Sequence, residues 1–302
     1  MKGIVSKSTG SWYKVYINGA EVDARLRGKI RTQNLKSTNP VTVGDVVFLD
    51  YQNEEYLIKG VEERKNCIVR KSNKLSKQYQ LIASNIDQAM LVVTPGYPYT
   101  PMGFIDRYLI TASAYQIPVC ILINKKDLNE GKLPAYRREL LSVYQGLGYD
   151  CRLMSFFDQE DIEQVKALVK GKTTLISGNS GVGKSTLANA LDPGIGQKIG
   201  DISTSYDKGQ HTTTFAQMFV LGPQSFIIDT PGLKDFGLVH IEKQQLSHYF
   251  PEMKAVLNKC KFNNCLHLEE PECAVIDALE KGQIFESRYL NYLNMMDELD
   301  QA

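Results

Sequence analysis

Residues 178–186 read Gly178-Asn179-Ser180-Gly181-Val182-Gly183-Lys184-Ser185-Thr186, between the apolar run Thr173-Thr174-Leu175-Ile176-Ser177 and Leu187-Ala188-Asn189-Ala190-Leu191. A G-x-x-x-x-G-K-[ST] loop between a strand and a helix lets side-chain-poor backbone wrap a phosphate chain, with amide N–H groups at the positive end of the helix. Lys184 then reaches the β- and γ-phosphates, and Ser185 holds Mg²⁺. All nine residues are nucleotide-binding candidates, and Lys184 is a catalytic candidate as well.

The base is indicated by a second motif. Directly after the apolar run Val119-Cys120-Ile121-Leu122-Ile123 stands Asn124-Lys125-Lys126-Asp127. In an N-K-x-D loop the Asp127 carboxylate accepts two hydrogen bonds, from N1–H and the 2-amino group, a donor pair that guanine has and adenine lacks. Asn124 would buttress the loop and contact the base, and the Lys125 stem would pack on the ring. The end of a strand in an open parallel sheet is where such ligands bind. A third motif, Asp229-Thr230-Pro231-Gly232, follows the run Ser225-Phe226-Ile227-Ile228. Asp229 should hold Mg²⁺ through water, and the Gly232 N–H should sense the γ-phosphate. Between the loop and this motif lies Gly209-Gln210-His211-Thr212-Thr213-Thr214, where Thr213 is a candidate for the switch hydroxyl. The three motifs agree on GTP and GDP.

Their order carries more than their presence. An ordinary GTPase reads phosphate loop, switch threonine, D-x-x-G and then N-K-x-D. Here N-K-x-D precedes the phosphate loop by more than fifty residues, so the domain is expected to be circularly permuted, which is tolerable when the original termini lie close together.

A different chemistry closes the chain. Cys260-x4-Cys265-x-His267-x5-Cys273 places three thiolates and an imidazole within fourteen residues. That is a closed tetrahedral donor set for structural Zn²⁺, with no ligand position left for catalysis. Helical patterns over 241–257 and 274–299 flank it, so the metal would staple an appendage too small to fold unaided.

These motifs need elements to hold them. Apolar runs at 88–93, 119–123 and 151–154 alternate with helical periods at 104–115, 135–147 and 162–169, which predicts a parallel sheet covered on both faces. Residues 214–221 and 225–228 read as further strands. By contrast, the first seventy residues hold short alternating runs at 11–17, 21–27, 45–51 and 55–61, with turns at Asn18-Gly19, Asn39-Pro40 and Gly44-Asp45. This predicts a small barrel of the oligonucleotide-binding type. Trp12, Tyr13 and Tyr16 among basic residues suit either base stacking or barrel filling.

The chain has 302 residues and is 43% hydrophobic, enough for several cores, and its net charge is +1. That average conceals 15 Lys and Arg against 8 Asp and Glu in residues 1–80, leaving 20 against 26 in the remainder. A basic N-terminal module suggests a polyanionic partner. No run approaches the ~18 apolar residues of a membrane span, the N-terminal residues lack an apolar signal core, and six cysteines do not form a disulfide framework. The expectation is a cytoplasmic protein with no membrane partner.

Together, the basic barrel, the permuted motifs and the terminal Cys-Cys-His-Cys knuckle resemble the bacterial RsgA (YjeQ/YloQ) ribosome-assembly GTPases over the whole chain. The resemblance implies a late-acting factor that binds the small ribosomal subunit, contacts ribosomal RNA through barrel and zinc domain, and hydrolyses GTP as it leaves, as a monomer. It implies four segments: an OB-fold RNA-binding barrel over 1–70, a linker over 71–80, a permuted P-loop GTPase over 81–236 and a zinc-binding helical domain over 237–302. Ser155 matches the base-contacting S-A motif of the family, with Phe156 where the family has alanine. Leu233 stands where Ras-like proteins carry a water-orienting glutamine, a replacement the family shares, so intrinsic turnover is expected to be slow and ribosome-stimulated. His211, backbone or the ribosome would then position the water. Two rival readings are an RNA-binding scaffold that holds nucleotide without turnover and a GTPase acting on a non-ribosomal partner.

Overall fold

The computed structural model describes residues 1–10, 12–27, 39–71, 79–195, 216–229, 238 and 241–301. The first five strands are β1 (Lys2–Ser8), β2 (Trp12–Ile17), β3 (Ala20–Leu26), β4 (Val46–Gln52) and β5 (Glu55–Val61). They run in the order β1-β2-β3-β5-β4, and β4 pairs back onto β1 to close a barrel. Alternation decides what faces inward: in β2, Tyr13, Val15 and Ile17 are buried while Trp12, Lys14 and Tyr16 point away from the barrel core. The Asn18-Gly19 turn, with φ of 49° and 92°, has the two positive angles that a tight hairpin of matching twist requires.

A hairpin of β6 (Cys67–Lys71) and β7 (Tyr79–Ser84) follows. Its arms take in residue 71 and residues 79–80 of the expected linker, and residues 72–78 lie outside the described residues. The hairpin is tied to the barrel by the fully buried Asp45, whose carboxylate accepts from Arg64 at 2.6 and 2.7 Å and from Ser84 Oγ at 2.6 Å.

The central sheet is the predicted one. Strands β8 (Gln88–Val93), β9 (Val119–Ile123), β10 (Asp150–Leu153), β11 (Thr173–Ser177), β12 (Gln217–Gly222) and β13 (Ser225–Asp229) stand in the order β10-β9-β8-β11-β13-β12. All neighbours are parallel except β12 and β13. Helices α1 (Met102–Ala114) and α2 (Leu133–Gly146) cover one face with Leu91, Val93 and Leu175. Helices α3 (Gln159–Val169) and α4 (Lys184–Leu191) cover the other with Met90, Val92 and Ile176. Strand β1 joins this sheet at β12 through a single residue pair, Lys7 with Gln217, and Tyr16 packs edge-on against Phe226 with centroids 5.9 Å apart.

The two predicted C-terminal helices are each broken. Between α5 (Lys243–Leu246) and α6 (Pro251–Lys254), Phe250 is extended at φ −93°, ψ 109°, as the residue before a proline must be. Between α7 (Ala274–Glu280) and α8 (Glu286–Gln301), Gly282 takes a φ of 69° that ends the helix. Phe250, Met253, Val275, Tyr292, Met295 and Met296 form the core here, with Ile110 of α1 joining it. At that seam Arg288 is fully buried, donating to Asp106 of α1 at 2.6 Å and to Glu252 at 2.7 Å.

Candidate nucleotide site and metal centre

The phosphate loop leaves β11 at Ser177 and enters α4 at Lys184. Its glycines are demanded by geometry. Gly178 has a φ of 143°, and a Cβ there would lie 2.2 Å from the Val92 carbonyl oxygen; Gly183 has a φ of 108°, and its Cβ would lie 2.4 Å from Asn124 Nδ2. Val182 is buried and pins the loop to the core, whereas Ser180, Gly181 and Ser185 are exposed on its rim. Lys184 Nζ donates to the carbonyls of Gly178 at 2.8 Å and Asn179 at 2.6 Å, so the ammonium lies across the loop. Next to it, Asp229 ends β13 opposite Ile176. Burial pushes its carboxyl above the usual range, and the Lys184 charge works against that shift. A half-sequestered carboxylate and the exposed Ser185 hydroxyl are hard oxygen donors of the kind a Mg²⁺ ion takes.

The N-K-x-D loop is built onto this cradle. Asn124 is buried, its Nδ2 donates to the Val182 carbonyl at 2.8 Å, and its Oδ1 accepts the Phe156 N–H at 3.2 Å. One side chain therefore joins three loops. Lys125, at a φ of 67°, sends its ammonium to the carbonyls of Tyr97 and, at 3.3 Å, Gly181. Lys126 donates its N–H to the Met154 carbonyl and its ammonium to Asp158 and Asp161. The hydrogen bond to Asp158, then that to Asp161, hold the Lys126 pKa above its ordinary value. Asp127 is exposed at the tip. Ser155 is buried, and its N–H donates to Asp161 at 2.7 Å.

The structure thus brings Asn124 to Asp127, Ser155, the phosphate loop and Asp229 to one end of the sheet. His211, Thr213 and Gly232 lie outside the described residues. Three contributors escaped the sequence reading: Arg137, whose buried guanidinium donates to the Lys126 carbonyl at 2.9 Å and to that of Leu128, and Asp158 and Asp161. Asp158 had a signal, since an aspartate followed by Gln159-Glu160-Asp161 is a helix start, and its side chain does cap α3.

Near the end of the chain, the ligand atoms of Cys260, Cys265, His267 and Cys273 all lie within 4.8 Å of one another. His267 Nδ1 is 3.7 Å from Cys260 Sγ and 3.3 Å from Cys273 Sγ. Sulfur edges of about 3.8 Å follow from tetrahedral ligation at ~2.3 Å, so the set fits a thiolate-preferring ion. Burial keeps the His267 pKa low, leaving the neutral imidazole that ligation needs. The knuckle is braced from α8: Tyr289 and Tyr292 donate their hydroxyls to the carbonyls of His267 and Leu266, each at 2.6 Å. Glu270 takes the N–H groups of Leu266 and Leu268.

The aromatic candidates of the barrel part company. Tyr13 fills the barrel, Tyr16 packs on Phe226, and Trp12 is exposed with the Arg25 guanidinium 3.7 Å from its ring centroid.

The family profile described as RsgA GTPase matches residues 61–239, and that of the RsgA N-terminal domain matches residues 2–56. The chain belongs to the RsgA GTPase family. The small ribosomal subunit biogenesis GTPase RsgA of Bacteroides fragilis (strain YCH46) is 46% identical over 304 residues, covering 100% of this chain and 98% of that one. The protein of the same name from Christiangramia forsetii is 47% identical, covering 98% and 96%. Among solved structures, YjeQ from Thermotoga maritima superposes with a TM-score of 0.79 at 35% identity over 99% of this chain and 98% of its own. YloQ, described as a circularly permuted GTPase, gives 0.76 at 29% identity over 99% and 95%. The permuted motif order of this family member is therefore that of a known fold, with barrel, GTPase sheet and Cys/His domain in the same chain.

Proposed function

We propose that this chain hydrolyses GTP to GDP and phosphate while engaged with the small ribosomal subunit during its assembly, and leaves as the nucleotide turns over. The observation that carries the reading is the double hydrogen bond of Asn124, which locks a guanine-selective loop onto a phosphate cradle in permuted order. The names of its full-length relatives supply the subunit.

In this reading Asp127 reads the N1–H and 2-amino edge of guanine, the Lys125 stem covers the ring, and Ser155 stands at the far side of the base. Loop N–H groups and Lys184 take the phosphate charge. Bound through Ser185 and Asp229, Mg²⁺ would neutralise the charge that develops on the phosphates. His211, backbone or the ribosome orients the water, the role that Leu233 cannot fill, and Thr213 supplies the switch hydroxyl. The Cys/His set holds Zn²⁺ as a structural staple, and the barrel contacts ribosomal RNA, with Trp12 and Arg25 on its open face. The working form is a cytoplasmic monomer.

The test is GTP hydrolysis by the purified chain with and without small subunits, alongside salt-dependent co-sedimentation in each nucleotide state. Marked acceleration by subunits and tighter binding with a non-hydrolysable GTP analogue are expected. Absence of acceleration would favour a scaffold that holds nucleotide without turnover, and failure to sediment with subunits would point to another partner. Unchanged subunit-stimulated hydrolysis after His211→Ala would remove that residue from the mechanism.

A further inference from the structure

The variable position of the N-K-x-D loop is occupied by a second lysine, and its side chain reaches the start of α3. Lys126 Nζ lies 2.7 Å from Asp158 Oδ2 and 2.7 Å from Asp161 Oδ2, both on the loop and helix start that form the opposite side of the base site. Each acid has a second task. Asp161 accepts the Ser155 N–H at 2.7 Å, and Asp158 accepts the Glu160 N–H at 3.0 Å to cap α3. The Lys126 N–H reaches the Met154 carbonyl at 3.0 Å, so backbone and side chain of one residue both grip the same wall. On the other flank Arg137 holds the carbonyls of Lys126 and Leu128. Asp127 is exposed between these anchored neighbours, so its orientation is inherited from them.

We propose that Lys126 is a positioning residue for guanine selection, one that does not touch the base but fixes the separation between Asp127 and the Ser155–Phe156 wall. The inference rests on the reading of Asp127 as the base reader. A carboxylate that takes two donors must present both oxygens along one edge of the base at once. A loop tip held on both sides meets that demand at lower entropic cost than a free one. Asp161 is nearly buried, so its half of the Lys126 bridge is screened less than an ordinary surface pair. A base that offers one donor to Asp127 has only one contact to align. Inosine keeps N1–H and lacks the 2-amino group, so loosening the loop harms guanine more.

The experiment measures GDP and IDP affinity by titration calorimetry on the full chain and on Lys126→Met, Lys126→Arg and Asp127→Asn, with XDP added for the last. Lys126→Met is expected to weaken GDP about tenfold and IDP less than about threefold, the scale of one lost hydrogen bond, while Lys126→Arg keeps most of the preference. Equal losses for GDP and IDP, or no loss for either, would overturn the proposal. Asp127→Asn distinguishes the two layers of the argument. If it shifts preference from GDP to XDP while Lys126→Met leaves the GDP to IDP ratio intact, only the Lys126 inference fails. If Asp127→Asn keeps the GDP preference, the reading of the base site fails and the inference with it.

Discussion

Arg288→Met should be among the most destabilising single changes in this protein. The guanidinium is fully buried, donates to Asp106 at 2.6 Å and to Glu252 at 2.7 and 3.2 Å, and lies over the Phe250 ring with 4.7 Å to the centroid. Burial alone would favour its neutral form; the two carboxylates more than reverse this and keep it charged. Methionine fills much of the same volume but leaves two acids in the seam with no cation. Tyr144 and Asn291 still donate to Asp106, at 2.7 and 2.6 Å, but they carry no charge. Removing one partner of a buried ion pair costs about 3–5 kcal/mol, and at about 2–3 °C per kcal/mol for a chain of this size the unfolding midpoint should fall by roughly 6–15 °C. Calorimetry measures this, and faster amide exchange in α1 should accompany it. The triple variant Asp106→Asn, Glu252→Gln, Arg288→Met carries no isolated charge and should recover most of the loss. A midpoint within about 2 °C of the parent for Arg288→Met, or a triple variant less stable than the single, would refute the reasoning.

Three further outcomes are expected. Asn124→Ala removes two buried hydrogen bonds worth about 2–4 kcal/mol together with the groups they leave unpaired; because one of them holds Val182 of the phosphate loop, titration should show weaker tripolyphosphate binding as well as weaker GDP binding. An unaffected tripolyphosphate would mean that Asn124 acts on the base alone. Gly178→Ala drives a Cβ to within 2.2 Å of the Val92 oxygen at a φ of 143°, and should reduce nucleotide affinity by more than about tenfold; GDP titration at parental affinity contradicts this. Metal analysis should find one zinc per chain, and its removal by a strong chelator, or Cys273→Ser, should release the tail's protection against proteolysis while the barrel stays folded. Intact protection after complete zinc loss would show that the core around Tyr292 suffices without it.

What was legible in the sequence shares one property. The phosphate loop, Asn124 to Asp127 and the cysteine knuckle each fit in a short window whose residue types suit a ligand, and strands β8 and β9 are runs too apolar to be anything but buried. What was not legible depends on partners far along the chain. Strand β1 is interrupted by Gly3 and two lysines, and its place is set by pairing with β2, β4 and β12. Arg137 and Asp161 belong to no motif, and the helix-start signal of Asp158 says nothing of the Lys126 ammonium it holds. Tyr16 was balanced between base stacking and barrel filling, and it takes a third place, outside the barrel core and edge-on against Phe226. The long C-terminal helical periods were real, but Pro251 and Gly282 cut them, and local backbone chemistry prevailed over periodicity.

The permuted strand order has a consequence for how the chain is made. In the usual order the phosphate-loop strand is synthesised first, and the next strands add to it. Here β8 emerges first and finds β9 within a few dozen residues, but its other neighbour, β11, begins 80 residues after β8 ends, by their ranges Gln88–Val93 and Thr173–Ser177. At ribosomal speed that gap is roughly 4–16 s. Through that interval a strand that ends fully buried presents an open row of N–H and C=O groups, the condition that invites pairing with other chains. Gln88, its one polar residue, finds its final partners in Thr174 and the Leu168 carbonyl only when that wait is over. Moving the guanine-reading half to the front therefore shifts the long wait for a partner onto β8, which in the ordinary order would emerge with β11 already made.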